Sequence, residues 1–211
     1  MESVFCAHVE ATGAPNGIGL VKVMGRHSGF IACYAALAMS DVNFVLIPES
    51  PLRLEGANGF LNVLEKRMKK RGHAVIVVAE GAGQDLIEEE AKGTDASGNV
   101  KLKDIGLFLK EKINAHYKKL GEPVNLKYID PSYIIRSVRA NARDSVCCSR
   151  LAQEAVHAAM CGKTGLVVGR RHMSFVYLPI SLVTRGRRQV ELHGDLWMPV
   201  IETTGQPYSF G

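Results

Sequence analysis

The chain has 211 residues, 46% of them apolar and 22% charged, an ordinary balance for one large globular domain or two small ones. The net charge of +5 is spread along the chain, so nucleic acid is not demanded and anionic small molecules fit equally well. The longest apolar run, FIACYAALAM at 30–39, is half of the roughly 20 residues a membrane span needs, and MESVFCAHVEATG lacks a basic segment followed by an apolar core, so no secretion signal is expected.

IGLVKV at 18–23 reads as a first strand. Residues 28–39 are apolar nearly all round, the pattern of a buried helix. FVLIP at 44–48 is a second strand, ended by Pro48 and Pro51. FLNVLEKRMKKR at 60–71 places Phe60, Leu64 and Met68 four apart opposite a basic face, which predicts an amphipathic helix stopped by Gly72. AVIVVA at 74–79 is apolar at every position, as a strand covered on both faces requires. Residues 80–100 read as a loop with at most a helical turn. Ile105, Leu109, Ile113 and Tyr117 then mark a helix, and VNLKYI at 124–129 a fourth strand. Asp144 is the expected N-cap of a helix over 145–161, with Gly162 past its end. LVVG and SFVYLPI are further strands around a basic GRRH turn, and DLWMPVIETTG carries a last short helix.

This alternation predicts an α/β fold with a parallel sheet and crossover helices. Ligands in such folds bind outside the carboxyl ends of the strands. Met24-Gly25-Arg26, Pro48-Glu49, Glu80-Gly81 and Asp130 with Tyr133 and Arg136 stand at those ends. Arginine forks suit phosphate, and carboxylate and phenol suit hydroxyls, so a phosphorylated polyol fits the set. Each residue also has a plainer reading. Arg26 could pair with a nearby carboxylate, Glu80 could be a surface acid, and Tyr133 and Arg136 could be an exposed pair at a helix start. Glu49 is expected to be structural.

The five cysteines are odd in number and show no metal spacing, so free thiols in a reducing, cytoplasmic compartment are expected, with Cys147 and Cys148 as core filler. EGAGQD has a G-x-G without the third glycine of a dinucleotide cradle. The histidines form no ligand spacing, and RGRR and GRRH lack the interleaved aromatics of a nucleic-acid surface.

The segments MGRHSGFIA, LIPES, VVAEGAGQDL, KYIDPSYIIR and ANARDSVCCSRLAQEAVHAAMCGKTG, in that order and across essentially the whole chain, resemble the ATP-dependent 6-phosphofructokinase family. The closer resemblance is to its plant, trypanosomatid and bacterial branch, which is itself similar to the pyrophosphate-dependent enzymes. The resemblance implies the three-layer parallel-sheet fold of that family and transfer of a phosphoryl group from ATP, with Mg2+, to the C1 hydroxyl of fructose 6-phosphate. It implies that Met24, Gly25 and Arg26 contact the sugar phosphate, with Arg26 near the transferred group as the catalytic residue. It further implies that Glu80 binds sugar hydroxyls and that Tyr133, Ile134, Ile135 and Arg136 hold the 6-phosphate end. Lys127 matches a position that reaches a neighbouring subunit's sugar phosphate. Gly17 stands where bacterial-type enzymes carry an arginine for phosphate.

The family's glycine-rich phosphate cradle, its Gly-Gly-Asp segment and its Thr-Ile-Asp-Asn-Asp base motif have no counterpart in the sequence. The expectation is therefore a C-terminal half that supplies the sugar side of the site and lacks the ATP and Mg2+ motifs. Its partners would be fructose 6-phosphate and either further copies of itself or the missing N-terminal half, with no nucleic acid and no membrane. A non-catalytic sugar-phosphate-binding subunit, or an inactive truncated product, is the alternative. The expected domains are a sugar-phosphate domain over 1–135, a returning remnant of the nucleotide domain over 136–190 and a C-terminal segment over 191–211. All of 136–211 is expected to be thinly covered, including the helix bearing Val146, Leu151, Val156 and Met160.

Overall fold

The computed structural model describes residues 1–87, 93–94, 98 and 100–210. In chain order the elements are α1 (Glu2–Thr12), β1 (Gly17–Val23), α2 (Phe30–Ala38), β2 (Phe44–Leu46), α3 (Phe60–Arg71), β3 (His73–Ala79), a 3-10 turn (Gln84–Leu86), α4 (Ile105–Leu120) and β4 (Asn125–Ile129). After them come α5 (Ile134–Ser137), α6 (Ala142–Met160), β5 (Leu166–Arg171), β6 (Ser174–Pro179), α7 (Ile180–Val183) and α8 (Trp197–Thr204). The chain divides into a unit of Met1–Ile135 with Gln189–Gly211 and a unit of Arg136–Arg188. Part of the loop read over 80–100 lies outside the described residues.

The first unit is built on a four-stranded sheet in the order β2-β3-β1-β4, parallel throughout. Apolar side chains alternate to its two faces. Ile18, Leu20, Ile76 and Val78 meet Leu64 of α3 and Leu109 of α4. Val21, Val75 and Val77 meet Ala7 of α1, Ala36 of α2 and Trp197 of α8. The sheet is thus flanked by helices on both faces, which is why AVIVVA is apolar at every position.

α1 was not legible as a helix, because its buried residues are only Val4, Ala7 and Ala11. Small residues are what its packing needs. A Cβ on Gly19 would lie 2.5 Å from the Ala7 carbonyl oxygen, and one on Gly17 would lie 2.0 Å from that of Ala11. α2 is not buried all round, since Ile31 and Tyr34 are exposed. The C-terminal stretch returns to the first unit instead of standing apart or lying uncovered: Val190, Trp197, Val200 and Phe210 are buried in its two cores.

In the second unit β5 and β6 form an antiparallel hairpin. Its turn is at His172 and Met173, with His172 at φ 54°, so these strands do not extend the parallel pattern. Tyr177 donates to Glu154 Oε2 at 2.7 Å, and Arg150 lies 4.7 Å over the Phe175 ring. α6 begins three residues earlier than expected. Its N-cap is Asn141, whose Oδ1 accepts from the Asp144 N–H at 2.9 Å, so Asp144 belongs to the first turn. Ala158 is the one buried residue among the described residues of 136–188. Cys147 is only partly covered and Cys148 is exposed, so neither fills a core.

Candidate functional site

The sheet topology determines where a ligand can enter. β1 and β3 are neighbours, yet β1 leads into α2, on the face of α1 and α8, while β3 leads toward α4 on the opposite face. Adjacent strands that exit to opposite faces open a crevice at their carboxyl ends. The two exits are Met24-Gly25-Arg26 and Glu80-Gly81.

These exits are stitched together by the backbone. Glu80 N–H donates to the Val23 carbonyl at 2.9 Å and Gly81 N–H to the Gly25 carbonyl at 3.2 Å. The glycines make the approach possible. Gly25 has φ 146°, and a Cβ there would meet the Ser28 carbonyl oxygen at 2.5 Å. A Cβ on Gly81 would meet the Arg26 carbonyl oxygen at 2.0 Å. Met24, Gly25, Arg26 and Glu80 are all partly exposed, and the missing Cβ atoms of Gly25 and Gly81 let the two turns pack this closely. The Arg26 guanidinium donates through Nη1 to the Val100 carbonyl.

β4 lies on the other side of β1 and delivers Asp130, Pro131, Ser132 and Tyr133 to the same edge. Tyr133 is 83% exposed, and Ile134 and Ile135 are also exposed. Arg136 opens the second unit. Lys127 does not reach this edge. It pairs with Gly19, upstream of Val23 by roughly 13 Å at strand rise, and is exposed there. Glu49 is structural, as expected. Its two oxygens accept from Gly29 N–H at 3.0 Å each, at the start of α2, and Oε1 also accepts from Val190 N–H at 2.8 Å.

The group the sequence did not single out is Lys22. Its Nζ lies 2.7 Å from Asp104 Oδ2 and 2.9 Å from Asp130 Oδ2. Tyr128 donates to Asp104 Oδ1 at 2.8 Å. Gly106 makes room for that contact, since a Cβ there would lie 2.2 Å from the Tyr128 ring. Burial works against the charge on Lys22, but the bonds to Asp104 and Asp130 outweigh it and hold the ammonium above its usual range. Burial likewise pushes Asp104 and Asp130 up, and the bonds from Lys22 and from the backbone N–H groups of Leu107 and Ser132 carry both below the usual carboxylate range. The visible signal was Lys22 itself, a charge on the face that Ile18 and Leu20 begin.

Among the described residues no three His, Cys, Asp or Glu side chains stand together to hold a metal ion. The two carboxylates that share a partner, Asp104 and Asp130, are already occupied by the Lys22 ammonium. Neither of these two carboxylates is therefore open to Mg2+. No described helix is long and apolar enough to cross a membrane, and all five cysteines are free. Burial, reinforced by the nearby charge of Glu49, pushes the Cys33 thiol up to about 12.

Comparison with known proteins adds ancestry to this geometry. Residues 1–159 match the model of the phosphofructokinase family. The ATP-dependent 6-phosphofructokinase of Amycolatopsis methanolica is 56% identical over 209 residues, covering 96% of this chain and 46% of its own. That of Borreliella burgdorferi is 51% identical, covering 96% and 47%. The chain thus spans about half the length of the curated relatives it matches. The solved pyrophosphate-dependent phosphofructokinase of Marinobacter aquaeolei superposes with a TM-score of 0.66 over 100% of this chain and 52% of its own, at 21% identity, a likeness of fold alone.

Proposed function

We propose, from the premise that the chain belongs to the phosphofructokinase family, that it is the C-terminal half of an ATP-dependent 6-phosphofructokinase and supplies the sugar-phosphate side of the site. In the reaction, the γ-phosphoryl group of ATP moves to the C1 hydroxyl of fructose 6-phosphate. The observation that supports this reading is the meeting of the β1 and β3 exits at the carboxyl edge of the sheet, where backbone bonds join the two turns that carry Arg26 and Glu80, both partly exposed. Arg26 would neutralise phosphoryl oxygens, Glu80 would accept from sugar hydroxyls, and Tyr133 with Ile134, Ile135 and Arg136 would hold the 6-phosphate end.

ATP, Mg2+ and the base that activates the hydroxyl would come from outside these 211 residues, consistent with the share of the relatives the chain covers. Residues 136–190 would then be the returning part of a nucleotide domain. α6 supports that assignment, since it exposes Val146, Val156 and Met160 at 61%, 61% and 82%. Such an apolar face is what a covering partner requires. Lys127, exposed in mid-strand, would serve a neighbouring copy in an oligomer. The alternative reading is a module that binds the sugar phosphate without turnover.

Calorimetry with the 211-residue chain tests the site. Fructose 6-phosphate is expected to bind, fructose is not, and Arg26→Ala is expected to weaken binding at least about tenfold, as loss of a charge-assisted phosphate contact does. Equal affinity of Arg26→Ala and the unaltered chain would overturn the assignment. Turnover appearing when an N-terminal half is added would separate the split enzyme from the binding module.

A further inference from the structure

β1 is the inner strand between β3 and β4, and its side chains toward α4 run Ile18, Leu20, Lys22. The first two are fully buried. A lysine ending that row is costly unless its ammonium is partnered. Its partners come from two different elements. Asp104 is the N-cap of α4 and also accepts from Leu107 N–H at 3.1 Å. Asp130 follows β4 and also accepts from Ser132 N–H at 3.1 Å and from the Ser132 hydroxyl.

A second side chain continues the connection toward β3. Gln84 Nε2 donates to the Glu80 carbonyl at 2.7 Å and to the Lys103 carbonyl at 3.1 Å, while its Oε1 accepts from Lys103 N–H at 3.2 Å. One bonded belt therefore runs along the carboxyl edge from Glu80 through Gln84, Lys103, Asp104, Lys22 and Asp130 to Ser132, the residue before Tyr133. Tyr133 is largely exposed, while the turn that bears it is tied to the belt through Asp130 and Ser132 and closed by Ile135 N–H donating to the Pro131 carbonyl at 2.9 Å. Lys22 is the point where the belt crosses β1, two residues before Met24.

We propose that Lys22 is a positioning residue for sugar-phosphate binding: by holding Asp104 and Asp130 to β1, it fixes the turn bearing Tyr133 relative to the Met24-Gly25-Arg26 corner. The inference rests on the reading of the site given above. Lys22 touches no ligand in this account. It acts through the two carboxylates, and an arginine, with several donors in one fork, can replace it.

The test combines amide hydrogen exchange of the ligand-free chain with fructose 6-phosphate calorimetry. Lys22→Met is expected to speed exchange over 130–135 at least fivefold while β3 amides stay protected, and to weaken binding about tenfold. Lys22→Arg is expected to restore both to within about threefold. Asp130→Asn, which breaks one arm only, is expected to loosen 130–135 and leave Leu107 protected, and it decides the matter if Lys22→Met does not fold. Unchanged exchange over 130–135 in Lys22→Met, or in Asp130→Asn where that variant decides, overturns the positioning role. So does unchanged affinity in a variant whose turn has loosened. An unaltered chain that binds no fructose 6-phosphate overturns the sugar-phosphate reading and with it the purpose of the positioning, while the exchange result still separates a Lys22 that fixes the turn from one that does not.

Discussion

Asp104 and Asp130 share one ammonium, and this sharing sets how the first unit meets acid. Both carboxyls titrate below their unfolded value, near 3.9. Their contribution is therefore present above that value and lost as pH falls through the folded values. Lys22 is shifted up, so its contribution is present at and below its unfolded value, near 10.4, and lost only as pH rises through the still higher folded value. Lys22→Met leaves two carboxylates without their cation and is expected to be less stable at pH 7. Urea midpoints at pH 7 and pH 3 check this: the gap between the two proteins should narrow in acid, and a constant gap would contradict the pairing. At this scale the sequence was partly legible. That Arg26, Glu80 and Tyr133 follow β1, β3 and β4 on one edge could be read from the apolar runs that precede them. Lys22 could not, because its partners lie 82 and 108 positions further along the chain, and sequence spacing says nothing of such distant pairs.

Among elements, β2 shows how a short edge strand is finished. It pairs with β3 on one side only. On the other side the Gln206 side chain stands in for a strand, with Oε1 accepting from Val45 N–H at 2.6 Å and Nε2 donating to the Val45 carbonyl at 3.2 Å. Gln206 is itself buried. Gln206→Ala leaves both Val45 groups without that partner, at about 1–3 kcal/mol each. A fall in the denaturation midpoint of that order is expected, and a midpoint within error of the unaltered chain would show that water replaces the amide at no cost. The β2 segment was readable from its apolar run, and so were α3 and α4 from their four-residue spacing, because large side chains mark the buried stripe. α1 was not, because its stripe is mostly alanine. The hairpin's direction was not either, because β5 and β6 carry no signal of parallel or antiparallel pairing.

For the whole molecule, the edge on which the candidate site lies followed from the alternation of strands and helices, since parallel strands put all their carboxyl ends on one side. The return of Gln189–Gly211 to the first unit did not follow. Trp197 joins the core face of α1 and α2, and no local pattern in DLWMPVIETTG identifies its destination. The first unit consequently contains both ends of the chain, and Arg136–Arg188 is spliced between its parts. Melting the splice would leave a tether of about fifty residues between two anchored points, and closing such a tether costs only a few kcal/mol. The thinly covered segment can thus come undone while the doubly cored remainder survives. Calorimetry should resolve two heat-absorption peaks, and the lone tryptophan should report only the later one.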